Sequence, residues 1–357
     1  RDYGELLNGI AIEFAVTRSV RDAAALLDAV AGPDAGCYGW AEPPKTPFLS
    51  QSSAPPGRLR IAWMEKPLSG VPVNPECVAA LRDAVKLCEE LGHEMVEATP
   101  QIDEETHALA TLRVWSANLA NMMDGVAEAM GRTPCPENLE TASWATYAYG
   151  KALSATELLQ ALDTLTGVSR SVGAFFHDYD ALLSLTAAHP PWPLGEMNQN
   201  APGMTAEKWV EQVFTTCPFT GLFNSTGLPA ISLPLAWSKD GLPLGIQFAG
   251  RFADEGTLLK LATQLEEARP WKNKRPPVHV SSLYSDLSSR KLLTNPWRRL
   301  KCGYFTRIGE KSMGADKDSK ESVFTRGENA LSEKDAERLF NEVNQEHLPY
   351  FKDMDPK

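Results

Sequence analysis

Cysteine and histidine are scarce in this sequence, with six of each among 357 residues. So sparse a set excludes a disulfide scaffold, and the scattered histidines form no cluster with metal-ligand spacing. We therefore predict reduced thiols, as in a cytoplasmic protein, and neither a metal nor another cofactor. No two cysteines have C-x-x-C spacing; they stand at positions 37, 77, 88, 135, 217 and 302.

Positive charge and long apolar runs are also lacking. Lys and Arg number 35 against 46 Asp and Glu, and the net charge is −11. Such a chain is a poor electrostatic match for nucleic acid or an anionic membrane. No stretch of about 20 apolar residues could span a bilayer, so we predict neither nucleic acid nor a membrane as a partner. The sequence begins at Arg1 without a signal-peptide pattern, so we expect a processed amino terminus or part of a longer chain.

The common catalytic motifs are missing as well. There is no G-x-S-x-G, no Walker A loop and no G-x-G-x-x-G, and His93-Glu94 is not followed by a second histidine at zincin spacing. Cys217 with His189 could form a thiol nucleophile and its base, but a packed cysteine is the more frequent meaning of such a residue. The motifs alone therefore indicate a soluble α/β protein and name no reaction.

Caps and periodicity predict a mixed α/β fold. Ser19, with Asp22 three residues on, predicts a helix start that Gly32-Pro33 ends. A strand at 58–64, a helix from Asn74-Pro75 and a strand at 93–98 form a βαβ unit, which requires parallel pairing. Further helices are predicted at 103–132, 154–176, 205–215 and 255–268. Further strands are predicted at 180–185, 230–237 and 244–249, and a hairpin turn at Asp240-Gly241 joins the last two.

Composition also predicts the domain organisation. Apolar residues make up 43% of the chain and charged residues 23%, which is typical of a globular protein. The chain becomes more polar beyond about residue 278. We expect one domain over 1–277, a linker or disordered stretch over 278–330 and a short helical tail over 331–357. Residues 41–57, rich in Pro and Ser, are predicted to form an ordered loop.

Several segments resemble the amidase signature family, in the right order, over about residues 10–277. They are Thr17–Asp22, the Tyr-Asp-x-Leu-Leu pattern at 179–183, the run Pro218–Pro234 and Gly241–Phe248 followed by Gly250-Arg251. Within that family the sequence most resembles amidases of the 6-aminohexanoate-cyclic-dimer hydrolase type.

The resemblance implies a mixed sheet flanked by helices and an enzyme that hydrolyses linear or cyclic carboxamide C–N bonds without a cofactor. The family uses a Ser nucleophile, a second Ser and a Lys base. All three precede the position of Phe14, so we expect this chain to be truncated at its amino terminus, to hold no catalytic residue and to be inactive alone. The alternative is a non-catalytic homologue that binds an amide ligand or a partner chain.

Substrate contacts can be proposed from the same resemblance. Trp115 and Asn118 lie three residues apart on a predicted helix and would share one face of it, although packing of Trp115 in the core is the favoured alternative. Thr186, Cys217 and Phe219 are candidates by loop position. Ser184-Leu185-Thr186 replaces the family's Thr-Pro-Thr at this loop. The expected partner is a small amide, and a homo-oligomer is left open.

Overall fold

A computed structural model describes residues 6–33, 36 and 41–276 of the chain. The predicted linker over 278–330 and tail over 331–357 lie outside these described residues. The helices are α1 (Val20–Val30), α2 (Phe48–Ser52), α3 (Pro75–Glu90), α4 (Glu104–Ala129), α5 (Thr141–Ala152), α6 (Ala155–Phe175), α7 (Ala206–Thr216), α8 (Gly221–Thr226) and α9 (Glu255–Ala268). The strands are β1 (Arg60–Trp63), β2 (Glu94–Glu97), β3 (Ala181–Leu185), β4 (Ala230–Trp237) and β5 (Pro243–Gly250).

The strands form one mixed sheet in the order β2-β1-β3-β5-β4. β1 pairs in parallel with both β2 and β3, which confirms the predicted βαβ unit. β5 lies antiparallel to β3 and to β4, and the β4–β5 pair is the predicted hairpin. The fold predicted by resemblance, a mixed sheet flanked by helices, is therefore confirmed.

The predicted helix starts are confirmed by their caps. The side chain of Ser19 accepts a hydrogen bond from the Asp22 backbone, and Asn74 does the same for Glu76. Each cap satisfies a backbone N–H that the first helical turn leaves without a partner. Acidic residues in both first turns also favour the positive end of the helix dipole.

One expectation was wrong and two helices were missed. Residues 41–57 are not all loop, because Phe48 is buried and anchors the short helix α2. α5 contains no Leu, Ile or Val, so it has no apolar stripe for a periodicity argument to find. α8 has only six residues and is too short to show a period.

The main core lies on both faces of the sheet. All five residues of β3 are buried, as expected for a central strand. α3 and α9 contribute Leu81 and Leu261 to this core, where both side chains are fully buried. A smaller cluster, which includes Val114 and Leu165, lies between α4, α6 and the turn at Leu6–Gly9.

Hydrogen bonds join the chain before α1 to the chain after α9. The Arg18 guanidinium donates to the carbonyl oxygens of Lys272 and Lys274, at 3.1 and 3.0 Å. The Trp271 indole N–H donates back to the Arg18 carbonyl at 3.1 Å. Helices α1 and α9 are thereby held side by side. No helix in the described part of the chain is both long and apolar enough to cross a membrane.

Candidate functional site

Three of the five predicted substrate-binding residues lie around the end of β3. Thr186 follows this strand directly, and its backbone N–H donates to the carbonyl of Gly245 on β5 at 3.0 Å. The loop after β3 is fixed by backbone bonds that link Ala188 to Thr216 and to Asn74. Because Thr216 ends α7 and Cys217 follows it, the loops that carry Thr186 and Cys217 are neighbours.

A pair of hydroxyl groups forms the centre of this site. Thr186 Oγ1 lies 2.6 Å from Ser232 Oγ of β4, across the backbone of Gly245. A Cβ atom at Gly245 would stand 2.6 Å from Thr186 Oγ1 and 2.8 Å from Ser232 Oγ. Real Cβ atoms essentially never approach so closely, so a glycine on β5 is what allows the two hydroxyls to meet.

A buried amide supports the same face of the sheet. Gln247 pairs with Ser184 across β5 and β3, and side chains two residues apart on a strand share a face. The Gln247 amide N–H donates to Ser184 Oγ at 3.1 Å and to the carbonyl of Phe219 at 3.3 Å. The Phe219 ring is fully buried in the main core, so it is the backbone of Phe219 that is fastened to this face.

A cavity of about 170 Å³ adjoins Thr186, whereas Ser232 is exposed and does not line it. Thr186 and Gly245 line it on one side, and His189, Trp192 and Thr216 line it on another. Its remaining lining is mostly apolar and includes the buried Cys77. Small-molecule sites are usually clefts with apolar walls and a few fixed polar groups, and this half-open cavity has that composition.

The thiol-nucleophile alternative finds no support at this site. Burial raises the pKa of the Cys217 thiol above its ordinary value, which disfavours the reactive thiolate. His189 Nδ1 lies 2.8 Å from the Pro190 carbonyl oxygen, and His189 Nε2 has no hydrogen-bond partner among the described residues. Cys217 and His189 are therefore not joined as nucleophile and base.

Trp115 and Asn118 lie elsewhere, on α4. Trp115 is 42% exposed, and the Asn118 amide donates to the Val114 carbonyl and to Asn8 Oδ1 at 2.8 and 2.7 Å. Neither residue lines the cavity beside Thr186. Their contact with substrate stays a prediction, as does that of Thr186, Cys217 and Phe219.

Ser232 and Gly245 were missed as site residues. Ser232 and Gly245 stand in segments that carry the family resemblance, but only the register of three strands brings them to Thr186. Within residues 6–33, 36 and 41–276 there is no group of three or more potential metal ligands.

Comparison with known proteins identifies the class. A family model described as Amidase matches residues 11–259, and the chain belongs to that family. Among curated relatives, it is 30% identical over 277 residues to 6-aminohexanoate-cyclic-dimer hydrolase of Pseudomonas sp. (strain NK87), covering 76% of this chain and 56% of the relative. It is also 30% identical over 276 residues to an acylamidase of Rhodococcus erythropolis, covering 73% and 53%.

Solved structures agree. 6-Aminohexanoate cyclic dimer hydrolase complexed with substrate superposes with a TM-score of 0.69 at 29% identity, over 73% of this chain and 55% of the hydrolase. A bacterial aryl acylamidase of the amidase signature family shares the fold, with a TM-score of 0.61 at 21% identity, over 73% and 55%. The chain spans about half the length of the relatives it matches.

Proposed function

We propose that this chain serves the hydrolysis of carboxamide C–N bonds in small linear or cyclic amides, and that residues 6–276 supply the substrate-side wall of the active site. The observation that carries the proposal is the meeting of Thr186, Ser232 and Gly245 at the rim of an apolar-lined cavity, which Thr186 and Gly245 line. It falls inside the region matched by the amidase family model.

The hydroxyl pair suits an amide chemically. A carboxamide offers a carbonyl acceptor and N–H donors, and a serine or threonine hydroxyl can both donate and accept. Thr186 and Ser232 could thus hold both polar groups of one amide.

In this proposal the nucleophile and its base lie outside residues 6–276. In the described part of the chain, no lysine ammonium hydrogen-bonds a serine hydroxyl; Lys151 and Lys208, for example, bind Asp124 and the Gly203 carbonyl. The Ser, Ser and Lys that the family resemblance implies would therefore stand outside residues 6–276. Members of a catalytic unit act together, so their absence removes many orders of magnitude of rate.

The test measures hydrolysis of small linear amides and of cyclic amide oligomers. The 357-residue chain alone is compared with a fusion that adds the amino-terminal half of the Pseudomonas hydrolase. We expect background rates from the chain alone and turnover from the fusion. In the fusion, Ser232→Ala should lower kcat/KM about threefold to tenfold, the contribution of one hydrogen bond, while Ser53→Ala, at another exposed position, should not.

Two outcomes would contradict the proposal. Turnover by the chain alone, abolished by a change within residues 1–277, would place a nucleophile in this chain. A folded fusion that binds amides without hydrolysing them would favour the non-catalytic homologue.

A further inference from the structure

The two edges of the sheet differ in their charge. The outer edge of β2 is protected, because this four-residue strand begins and ends with the exposed Glu94 and Glu97. β4, at the opposite edge, has no charged residue among its eight, and no described strand pairs with its outer side. Natural proteins seldom leave an uncharged strand edge open, since such an edge pairs readily with another chain. The β4 edge is therefore a candidate surface for a partner.

The register of β4 on β5 shows which backbone groups of β4 are open. The Gly250 N–H donates to the Pro229 carbonyl at 2.9 Å, so these two residues form a hydrogen-bonded pair. Bonded and non-bonded pairs alternate in an antiparallel ladder, which directs the backbone groups of Ile231 to β5 and those of Ala230 and Ser232 outward. Both outward residues are exposed. Their N–H and C=O groups can therefore bond to an added strand.

Prolines delimit this open stretch. Pro229 precedes Ala230, Pro234 stands two residues after Ser232, and a proline has no N–H to donate. A strand paired between the prolines would lie about 4.8 Å from the Ser232 backbone. The side chain of Ser232 forms half of the hydroxyl pair with Thr186. The open edge and the candidate amide site therefore share one residue.

A second segment of the chain also lacks a partner. Residues 12–16 have apolar side chains at alternate positions, which is the pattern of a strand with one covered face. Ile12, Phe14 and Val16 are nevertheless 66%, 51% and 105% exposed. The backbone of residues 12–16 makes no hydrogen bond within the part of the chain that the structure describes. This segment therefore has the pattern of a paired strand without the pairing.

The ends of this segment are held near the two ends of β4. The Ile10 carbonyl accepts a hydrogen bond at 2.9 Å from the amide of Asn224, on the helix α8 that precedes β4. At the other end, Arg18 donates to the carbonyl of Lys274. The Lys274 ammonium lies 4.9 Å from the centre of the ring of Trp237, the last residue of β4. The exposed apolar segment thus runs between the same two ends as the open edge.

We propose that the outer edge of β4 is the docking surface for the polypeptide that carries the nucleophile and its base, and that this polypeptide pairs with Ala230 and Ser232 as an added strand. The inference rests on the proposed function and names its partner, the amino-terminal half of an amidase. That half must reach an amide held by Thr186 and Ser232, and strand addition at Ser232 brings it there. Main-chain hydrogen bonds also fix its register, and a nucleophile must be held about 3–3.5 Å from the reacting carbon.

Residue-resolved hydrogen exchange tests this on the 357-residue chain and on its fusion with the amino-terminal half of the Pseudomonas hydrolase. Ile231 and Leu233 are the internal controls, because their N–H groups face β5 and should be protected in both proteins. In the chain alone, the N–H groups of Ala230 and Ser232 should exchange nearly as fast as in an unstructured peptide. In the fusion we expect them to exchange about a hundredfold more slowly.

A substitution at one outward position tests the same hydrogen bonds through activity. Ala230→Pro removes an outward N–H and leaves the bonds between β4 and β5 in place, while Ala230→Ser keeps the N–H and is the matched control. We expect Ala230→Pro to lower kcat/KM of the fusion about tenfold, because it removes one hydrogen bond and places a ring against the added strand. Ala230→Ser should change it less than about twofold.

Three outcomes would overturn the inference. The first is fast exchange at Ala230 and Ser232 in a folded fusion, and the second is an equal effect of Ala230→Pro and Ala230→Ser. The third is protection of both N–H groups in the chain alone. Sedimentation then shows whether a second copy covers the edge, since that protection would rise with concentration. Exchange in the chain alone can overturn the inference even if the fusion does not fold.

The two proposals can fail separately. A fusion that hydrolyses amides while Ala230 and Ser232 exchange fast would remove the docking edge and leave the proposed function intact. Protection of both N–H groups in a fusion that does not hydrolyse amides would retain the docking edge and remove the function.

Discussion

His107 Nε2 lies 2.9 Å from Ser225 Oγ and joins the long helix α4 to the short helix α8. His107 is 1% exposed, and its Nδ1 lies 3.2 Å from the Glu104 carboxylate. α8 leads through Gly227, in the left-handed conformation, into the edge strand β4 that carries Ser232. This contact therefore fixes the segment that positions half of the hydroxyl pair.

The first prediction concerns this link. Ser225→Ala leaves a ring nitrogen of His107 buried without a partner, so we expect a loss of about 1–3 kcal/mol in the free energy of unfolding. Urea unfolding measures it, with Ser53→Ala, at an exposed position, as the matched control. A loss no larger than that of the control would show that the His107–Ser225 hydrogen bond contributes little to stability.

The second prediction concerns the contact between α4 and α5. A Cβ atom at Gly150 would stand 2.0 Å from the Ser116 carbonyl oxygen, whereas one at Gly167 meets nothing within 4 Å. We expect Gly150→Ala to destabilise the fold by about 1–3 kcal/mol through overpacking. Gly167→Ala, inside α6, should stabilise it by about 0.5–1 kcal/mol. Thermal unfolding of the two variants checks the sign of each change in stability. Equal shifts in melting temperature would refute the close approach at Gly150.

The third prediction concerns Gly245. Gly245→Ala would press on both hydroxyls of the site, and we expect a loss of about 1–3 kcal/mol. Ser232→Gly removes one of the two clashing groups, so the cost of Gly245→Ala should be smaller in that background. A double-mutant cycle by urea unfolding measures the coupling. Strictly additive effects would mean that the three residues do not share one space.

The fourth prediction concerns the thiols of α3. Burial raises the pKa of Cys77 to about 11 and that of Cys88 to about 12. At pH 8 the folded chain should leave both unlabelled by a thiolate-specific reagent, and urea should expose them. Peptide mapping after labelling identifies the sites. Rapid labelling of Cys88 in the folded chain would contradict its burial.

The raised pKa values of Cys77 and Cys88 also make the free energy of unfolding depend on pH. Because the folded state favours the protonated thiols, their contribution to stability is complete below the ordinary thiol pKa, near 8.5–9. It falls as the pH rises from there toward 11 and 12. Urea titrations between pH 7 and 10 should show this decline, and Cys88→Ala should lose its share of the slope. An unchanged slope in that variant would assign the decline to other groups.

The fold was predictable from the sequence to the extent that its signals are local. Ser19 and Asn74 predict helix starts because the side chain of a capping residue bonds to a backbone N–H two or three residues away. The hairpin follows from Asp240-Gly241 in the same way. α5, without an apolar stripe, depends on the close approach at Gly150, which no local pattern reports.

The candidate site was predictable only in part, for the same reason. Thr186 could be found because it directly follows a buried strand. Its partners Ser232 and Gly245 become neighbours only through the register of β3, β5 and β4.

The bonds from Arg18 to Lys272 and Lys274, with the return bond from Trp271, bring two points 254 or so positions apart in the chain into direct contact. A circular permutation would exploit this proximity. The linker would have to keep the turn at Leu6–Gly9, since Leu7 packs in the smaller core cluster, and the entropy of closing a longer loop grows only slowly with its length. New ends could open at the exposed Asp240-Gly241 turn, leaving β4 and β5 to pair between the new first and last segments.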